Sequence, residues 1–178
     1  ELLLNRQSHP QLTTPCPNDK DLQLIIGAGM RVPDHGALTP WHFTIIKADG
    51  LKTLSDLFVQ VSKASSEDEV KHIKAAKKAN RAPLIIVVST RFKIHPKVPE
   101  QEQLITAGCC VHEMQMAAFS LGYGAMWRTG EMSYHPLVKT GLNISANNEI
   151  VGFLYIGTIA KPLPSKIVKD LSPFISYL

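Results

Sequence analysis

Cysteine is scarce: three residues in 178, at positions 16, 109 and 110, two of them adjacent. An odd, partly adjacent set does not make a disulfide framework, and it fits a reducing compartment, so the cytoplasm is the expected location. No apolar run approaches the roughly 18 residues of a membrane span, so no membrane partner is expected. The opening "ELLLN" is too short and too acidic to read as a signal peptide. Aromatics make up only 7% of the chain, and none stands beside its one dense basic run, "KAAKKANR" (74–81). Without an aromatic platform or a reading motif, that run is the solvated end of a helix, and no nucleic-acid partner is expected. No glycine-rich phosphate loop follows a strand, and there is no internal repeat or low-complexity segment. Net charge is modest at +4, which suits anionic ligands such as phosphates without requiring them.

What is present is a sizeable core. Hydrophobic residues are 44% of the chain, ample for one domain over 1–178. Residues 2–5 read as a helix end, and "TTPCPND" breaks the chain. Asn18 is a good N-cap for a helix carrying Leu22, Ile25, Ile26 and Met30, which Pro33 ends. "WHFTIIK" reads as a strand, "LKTLSDLFVQVSK" as an amphipathic helix, and "SSEDEVKHIKAAKKANR" as a helix acidic at its start and basic at its end. "LIIVVST" is continuously apolar, as in a strand covered on both faces. The longest helix candidate runs from Pro99 to Gly122, with Leu104, Ala107, Val111, Met114, Ala118 and Leu121 as its inward stripe. Its small residues Gly108, Ala117 and Ala118 would admit a second helix closely. "YGAMWRTG" and "EIVGFLYIGT" are further strands, separated by a short helix in "HPLVKTGL". The fold class is α+β, an α/β sandwich with one mainly antiparallel sheet between helices. Past the last strand, three prolines and an apolar end (Phe174, Ile175, Tyr177, Leu178) describe an extended arm that needs somewhere to dock; a partner subunit is one candidate.

The stretch "AGMRVPDHGALTPWHF" (28–43) packs costly residues into one helix-to-strand connection. Arg31 offers a fixed cation, His35 a donor or a loop-structuring hydrogen bond, and Asp34 a turn. Arg128, at a strand end, is either an anion ligand or a surface ion pair. "GCCVH" places Cys109 and Cys110 about 100° apart on a helix with no second ligand cluster, so no metal site is expected.

Three segments in order resemble the FMN-dependent nitroreductase family: "NRQSHPQL", "AGMRVPDHGALTPWHF" and "AAFSLGYGAMWRTG". The similarity spans nearly the whole chain and is closest to the small YdjA-like branch. It implies a homodimer with FMN at the interface, the arm docking on the partner. It implies FMN contacts from Arg6, Gln7 and Ser8 at the phosphate, from Arg31 and His35, and from Trp127, Arg128 and Thr129 along the ring. It assigns Ala117, Ala118, Phe119, Ser120, Leu121 and Gly122 to the nicotinamide nucleotide. The implied chemistry is ping-pong: hydride passes from NADH or NADPH to flavin N5, then to a nitroaromatic, quinone or similar small-molecule acceptor. The flavin carries the reaction, so no catalytic side chain is named. Gln7 stands where the family often has a second Arg, and Ala37 and Thr39 replace its Asn and Gln. The alternatives are an FMN protein of this fold with a specialised reductive reaction, or a basic nucleic-acid or partner-binding module without cofactor.

Overall fold

The computed structural model describes residues 2–167 and 169–178; Val168, inside the predicted arm, and Glu1 lie outside the described residues. The chain runs α1 (Leu2–Asn5), β1 (Leu12–Thr13), α2 (Asp19–Gly29), a 3-10 turn (His35–Ala37), β2 (Trp41–Lys47), α3 (Asp49–Ser65) and α4 (Glu69–Ala79). It continues through β3 (Leu84–Thr90), α5 (Glu100–Ser120), β4 (Gly124–Arg128), α6 (Glu131–Tyr134), α7 (Pro136–Gly141) and β5 (Ile150–Ile159). The strands form one antiparallel sheet in the order β1-β5-β3-β2, with β4 also pairing β5. Helices flank it on both sides, which matches the expected fold class.

β3 is buried at every position, and its side chains alternate between two cores. Ile85 and Val87 pack with Phe58, Val61, Phe153 and Tyr155 under α3 and α4. Leu84, Ile86 and Val88 pack with Ile25, Val111, Met114 and Leu154 under α2 and α5. α2 starts where expected: the Asn18 side chain accepts from the Asp21 N–H. Trp41 is buried, and its indole N–H donates to Met30 Sδ at 3.0 Å, so it packs rather than reacts.

Several expectations need correction. α2 ends at Gly29, short of Pro33, because Met30 already closes the helix on the Ile26 and Gly27 carbonyls. Leu104 and Leu121 are each 38% exposed rather than inward. Gln103 holds the inward position of the first α5 turn instead. Its buried amide accepts from Lys93 N–H and donates to the Lys93 and Val98 carbonyls, so Leu104 is turned about 100° away. Gly108 faces the Trp127 ring rather than a helix; the close helix approach is at Gly29, where a Cβ would stand 2.7 Å from Met114 Cγ. Both β1 and α6 are too short to leave a pattern in sequence.

The arm beyond β5 contributes little to either core. Phe174 and Tyr177 are 76% and 91% exposed. It is tied to the N-terminal segment by Ala160 N–H, which donates to the Gln11 carbonyl at 3.2 Å, and by the Gln7 amide, which donates to the Pro164 carbonyl at 3.0 Å.

Candidate functional site

Residues 6–9 run along the outer edge of β4. Ser8 bridges Ala125 in parallel, and His9 N–H donates to the Ala125 carbonyl at 3.0 Å. The buried Gln115 amide, from α5, donates to both Ser8 Oγ (3.3 Å) and that same carbonyl (3.2 Å). Arg6 Nη1 lies 3.4 Å from Ser8 Oγ, so a guanidinium and a hydroxyl converge at one rigid edge. Gln7 turns its side chain away to the arm.

His9 sits beside this group, buried, with Nδ1 unpartnered among the described residues. Burial is the main cause that lowers its pKa, and the Arg6 charge adds to it. A histidine held neutral when folded titrates near pH 6.5 when unfolded, so below that pH the unfolded chain binds more protons. Stability is therefore complete above about pH 6.5 and falls as the pH drops through the window below it. His42, lowered by burial and by Arg91, adds to the same slope. The urea midpoint should fall between pH 7.5 and pH 5.5, and His9→Asn should flatten that fall; an unchanged slope would show that His9 is not its source.

At the end of β4, alternate side chains leave on opposite faces. Trp127 lies on the α5 side, its indole N–H donating to the Val151 carbonyl at 3.2 Å and its ring tip over Gly108. Arg128 lies on the α3–α4 side, its guanidinium 5.7 Å from the Tyr155 ring centroid. Arg128 Nε is buried and unpartnered among the described residues. Burial, then the neighbouring Arg81 charge, lowers the Arg128 pKa, with Tyr155 opposing. Thr129 is exposed. These residues wall a cavity of about 360 Å³ together with Lys78, Arg81 and Tyr155.

Arg31 and His35 are elsewhere. Arg31 is exposed just past α2, and no ion pair among the described residues engages it. His35 Nδ1 pairs with Glu102 Oε2 at 2.8 Å, tying the 3-10 turn to the first turn of α5. The Asp34 carboxylate accepts from Thr39 N–H at 2.7 Å, the turn role expected of it. Glu102 and Gln115 are 13 residues apart on one helix, about 20 Å along its axis. Within one chain His35 is thus held about 20 Å along α5 from the Ser8 edge, while Arg31 follows α2, whose Gly29 packs against Cys110 and Met114.

Residues Ala117–Gly122 are the closing turn of α5. Its carbonyls are capped locally, by Leu121, Gly122 and Tyr123 N–H groups and by Ser120 Oγ on Ala117 O at 2.8 Å. Ser120, Leu121 and Gly122 are exposed. Cys109 is exposed while Cys110 is buried, its thiol pushed up to about 12, chiefly by burial.

Sequence reasoning missed Lys78, Arg81 and Tyr155. The first two were legible only as members of a basic run; nothing in the run tells which members turn toward the sheet end.

The model of the family described as "Nitroreductase family" matches residues 3–158. The chain belongs to the nitroreductase family. Over 178 residues this nitroreductase is 41% identical to the "Putative NAD(P)H nitroreductase YdjA" of Escherichia coli strain K12, covering 99% of this chain and 97% of the relative. In fold it is similar to a nitroreductase-like family protein from Bacillus cereus, with TM-score 0.85 and 22% identity, covering 99% of this chain and 94% of the other. It is also similar to a nitroreductase with bound FMN from Bacteroides fragilis, with TM-score 0.73 and 24% identity, covering 97% and 94%. Among the described residues of this nitroreductase, no helix is long and apolar enough to cross a membrane.

Proposed function

We propose that this nitroreductase is an FMN-dependent oxidoreductase that passes hydride, in ping-pong order, from NADH or NADPH to an electron-poor acceptor such as a nitroaromatic or quinone. The observation that carries this reading is the Arg6–Ser8 pair fastened along β4, whose end supplies Trp127, Arg128 and Thr129. The donor chemistry fits FMN. A guanidinium fork beside a hydroxyl suits a phosphate dianion. The FMN in the Bacteroides fragilis relative and the NAD(P)H in the name of the Escherichia coli relative support the same pairing.

Bound FMN would supply hydride exchange at N5. The chain's own part is positioning and charge. Arg6 and Ser8 hold the phosphate, with Gln7 fixing the segment through the arm. The backbone at 127–129 runs along the ring. Arg31, just past α2, and His35, on the 3-10 turn, reach the same flavin from a second copy of the chain, which makes the functional unit a homodimer. There a cation beside the ring favours its reduced, more negative state. The exposed arm is the segment that docks on the partner, and the open turn at Ser120–Gly122 is available to the nicotinamide nucleotide. No side chain is assigned as a general acid.

The test is a visible absorption spectrum of the purified protein, followed by NADPH without oxygen. An oxidised-flavin spectrum that bleaches is the expected result. A colourless protein that also fails to take up added FMN would end this reading.

A further inference from the structure

Three cations meet in the cavity on the α3–α4 face of β4. Lys78, Arg81 and Arg128 line it, with Glu131 as the one carboxylate. None of the three is in a salt bridge among the described residues. Among the described residues Arg128 Nε is buried with no partner, and the face of Tyr155 lies 5.7 Å from the guanidinium. An unpaired, partly buried guanidinium is costly, and a second arginine nearby raises the cost. Buried donors in folded proteins are nearly always satisfied, so an orphan of this kind marks a place where something binds. An oxyanion seated in the cavity would meet Lys78, Arg81 and Arg128 together and neutralise their excess positive charge. The walls also carry Trp127–Gly130, the segment proposed to run along the flavin, together with the apolar Phe58, Met132 and Phe153. A volume of about 360 Å³ admits a small ring with its charged substituent.

We infer that this cavity seats an anionic substituent, a carboxylate or phosphate, of the molecule that exchanges hydride with the flavin. The inference rests on the proposed function and narrows its substrate class: an acceptor bearing a carboxylate, or a nucleotide bearing an extra phosphate.

The experiment compares Arg81→Gln, and Lys78→Gln/Arg81→Gln, with the flavin-loaded wild-type protein. Arg81 is exposed, so these variants should fold. One arm uses 4-nitrobenzoate against the uncharged 4-nitrobenzyl alcohol as acceptor; the other uses NADPH against NADH. Loss of a charge-assisted contact should raise KM for the probe with the added anion (4-nitrobenzoate or NADPH) about tenfold or more, leave its counterpart lacking that anion within about twofold, and leave flavin content unchanged. The arm that responds names the source of the anion. If the two probes respond alike in both arms, the cavity is not an anion site. If flavin is lost, the cavity belongs to the flavin phosphate and the inference falls. If the wild-type protein binds no flavin, the proposed function fails by itself. Calorimetric titration of benzoate and inorganic phosphate then decides the anion site: binding sensitive to Arg81→Gln upholds it, and no binding overturns it.

Discussion

The Arg6→Ala/Arg31→Ala double variant is expected to purify folded and colourless. Neither arginine supports the fold. Arg6 is half-buried, with Ser8 as its side-chain partner, and Arg31 is exposed and unpaired among the described residues. Substitutions at such positions change stability by about 0.5 kcal/mol or less. For flavin the loss is large. Each charged hydrogen bond contributes about 1.5–3 kcal/mol, so two together lower affinity by about 10²- to 10⁴-fold. The ratio of flavin to protein absorbance, read with a thermal melt, separates loss of binding from loss of fold. A double variant with full flavin would sink the assignment. The single variants carry more information, because within one chain Arg6 leads into the β4 edge while Arg31 follows α2. If they meet only across two chains, mixing and re-equilibrating Arg6→Ala with Arg31→Ala should restore roughly a quarter of the sites, those in mixed dimers whose two intact groups face each other. No recovery would mean that each chain completes its own site.

Gly152→Ala is expected to be strongly destabilising. A methyl group there would collide with the indole nitrogen of Trp127, stand 2.6 Å from its Cδ1 and lie 3.0 Å from the Arg128 carbonyl. The indole cannot swing freely, since its N–H is committed to the Val151 carbonyl and its tip rests on α5 at Gly108. Overpacking of this kind costs about 1–3 kcal/mol, and for a chain of this length each kcal/mol is about 2–4 °C in Tm. The control is Trp127→Ala. If the indole is the obstacle, Gly152→Ala should cost far less in that background. An equal cost in both backgrounds would place the conflict in the backbone instead. Because Trp127 borders the proposed ring position, Gly152→Ala should also lower flavin content.

Much of the fold was legible because it rests on local patterns. The β-branched run of β3, the N-cap at Asn18 and the long helix ending near Gly122 each follow from neighbouring residues. What was not legible depends on partners far along the chain. β1 is a strand only because Leu12 and Thr13 pair with Ile159 and Thr158. Gln103 displaces Leu104 from the interior only because a loop ten residues earlier needs its amide. The proposed site divides in the same way. Its members stand in motifs short enough to read, yet their separation into two groups is a matter of where α5 runs. The cationic cavity was hidden because Arg81 and Arg128 are 47 positions apart and converge only across β5, at Tyr155.

β5 is the last strand along the chain, and it pairs with β1, β3 and β4. Among the described residues, the β2–β3 ladder is the one strand ladder that forms without it. During synthesis, then, residues up to about 149 can assemble helices and one ladder but cannot close the sheet. Their apolar strands wait, exposed, for residues 150–159 to emerge. The Ser8–Ala125 edge and the wall of the cationic cavity are both built on β4, which itself waits for β5. Cofactor capture therefore follows closure of the sheet rather than accompanying chain growth, and a nascent chain stalled before β5 is a client for holding chaperones rather than a partly loaded enzyme.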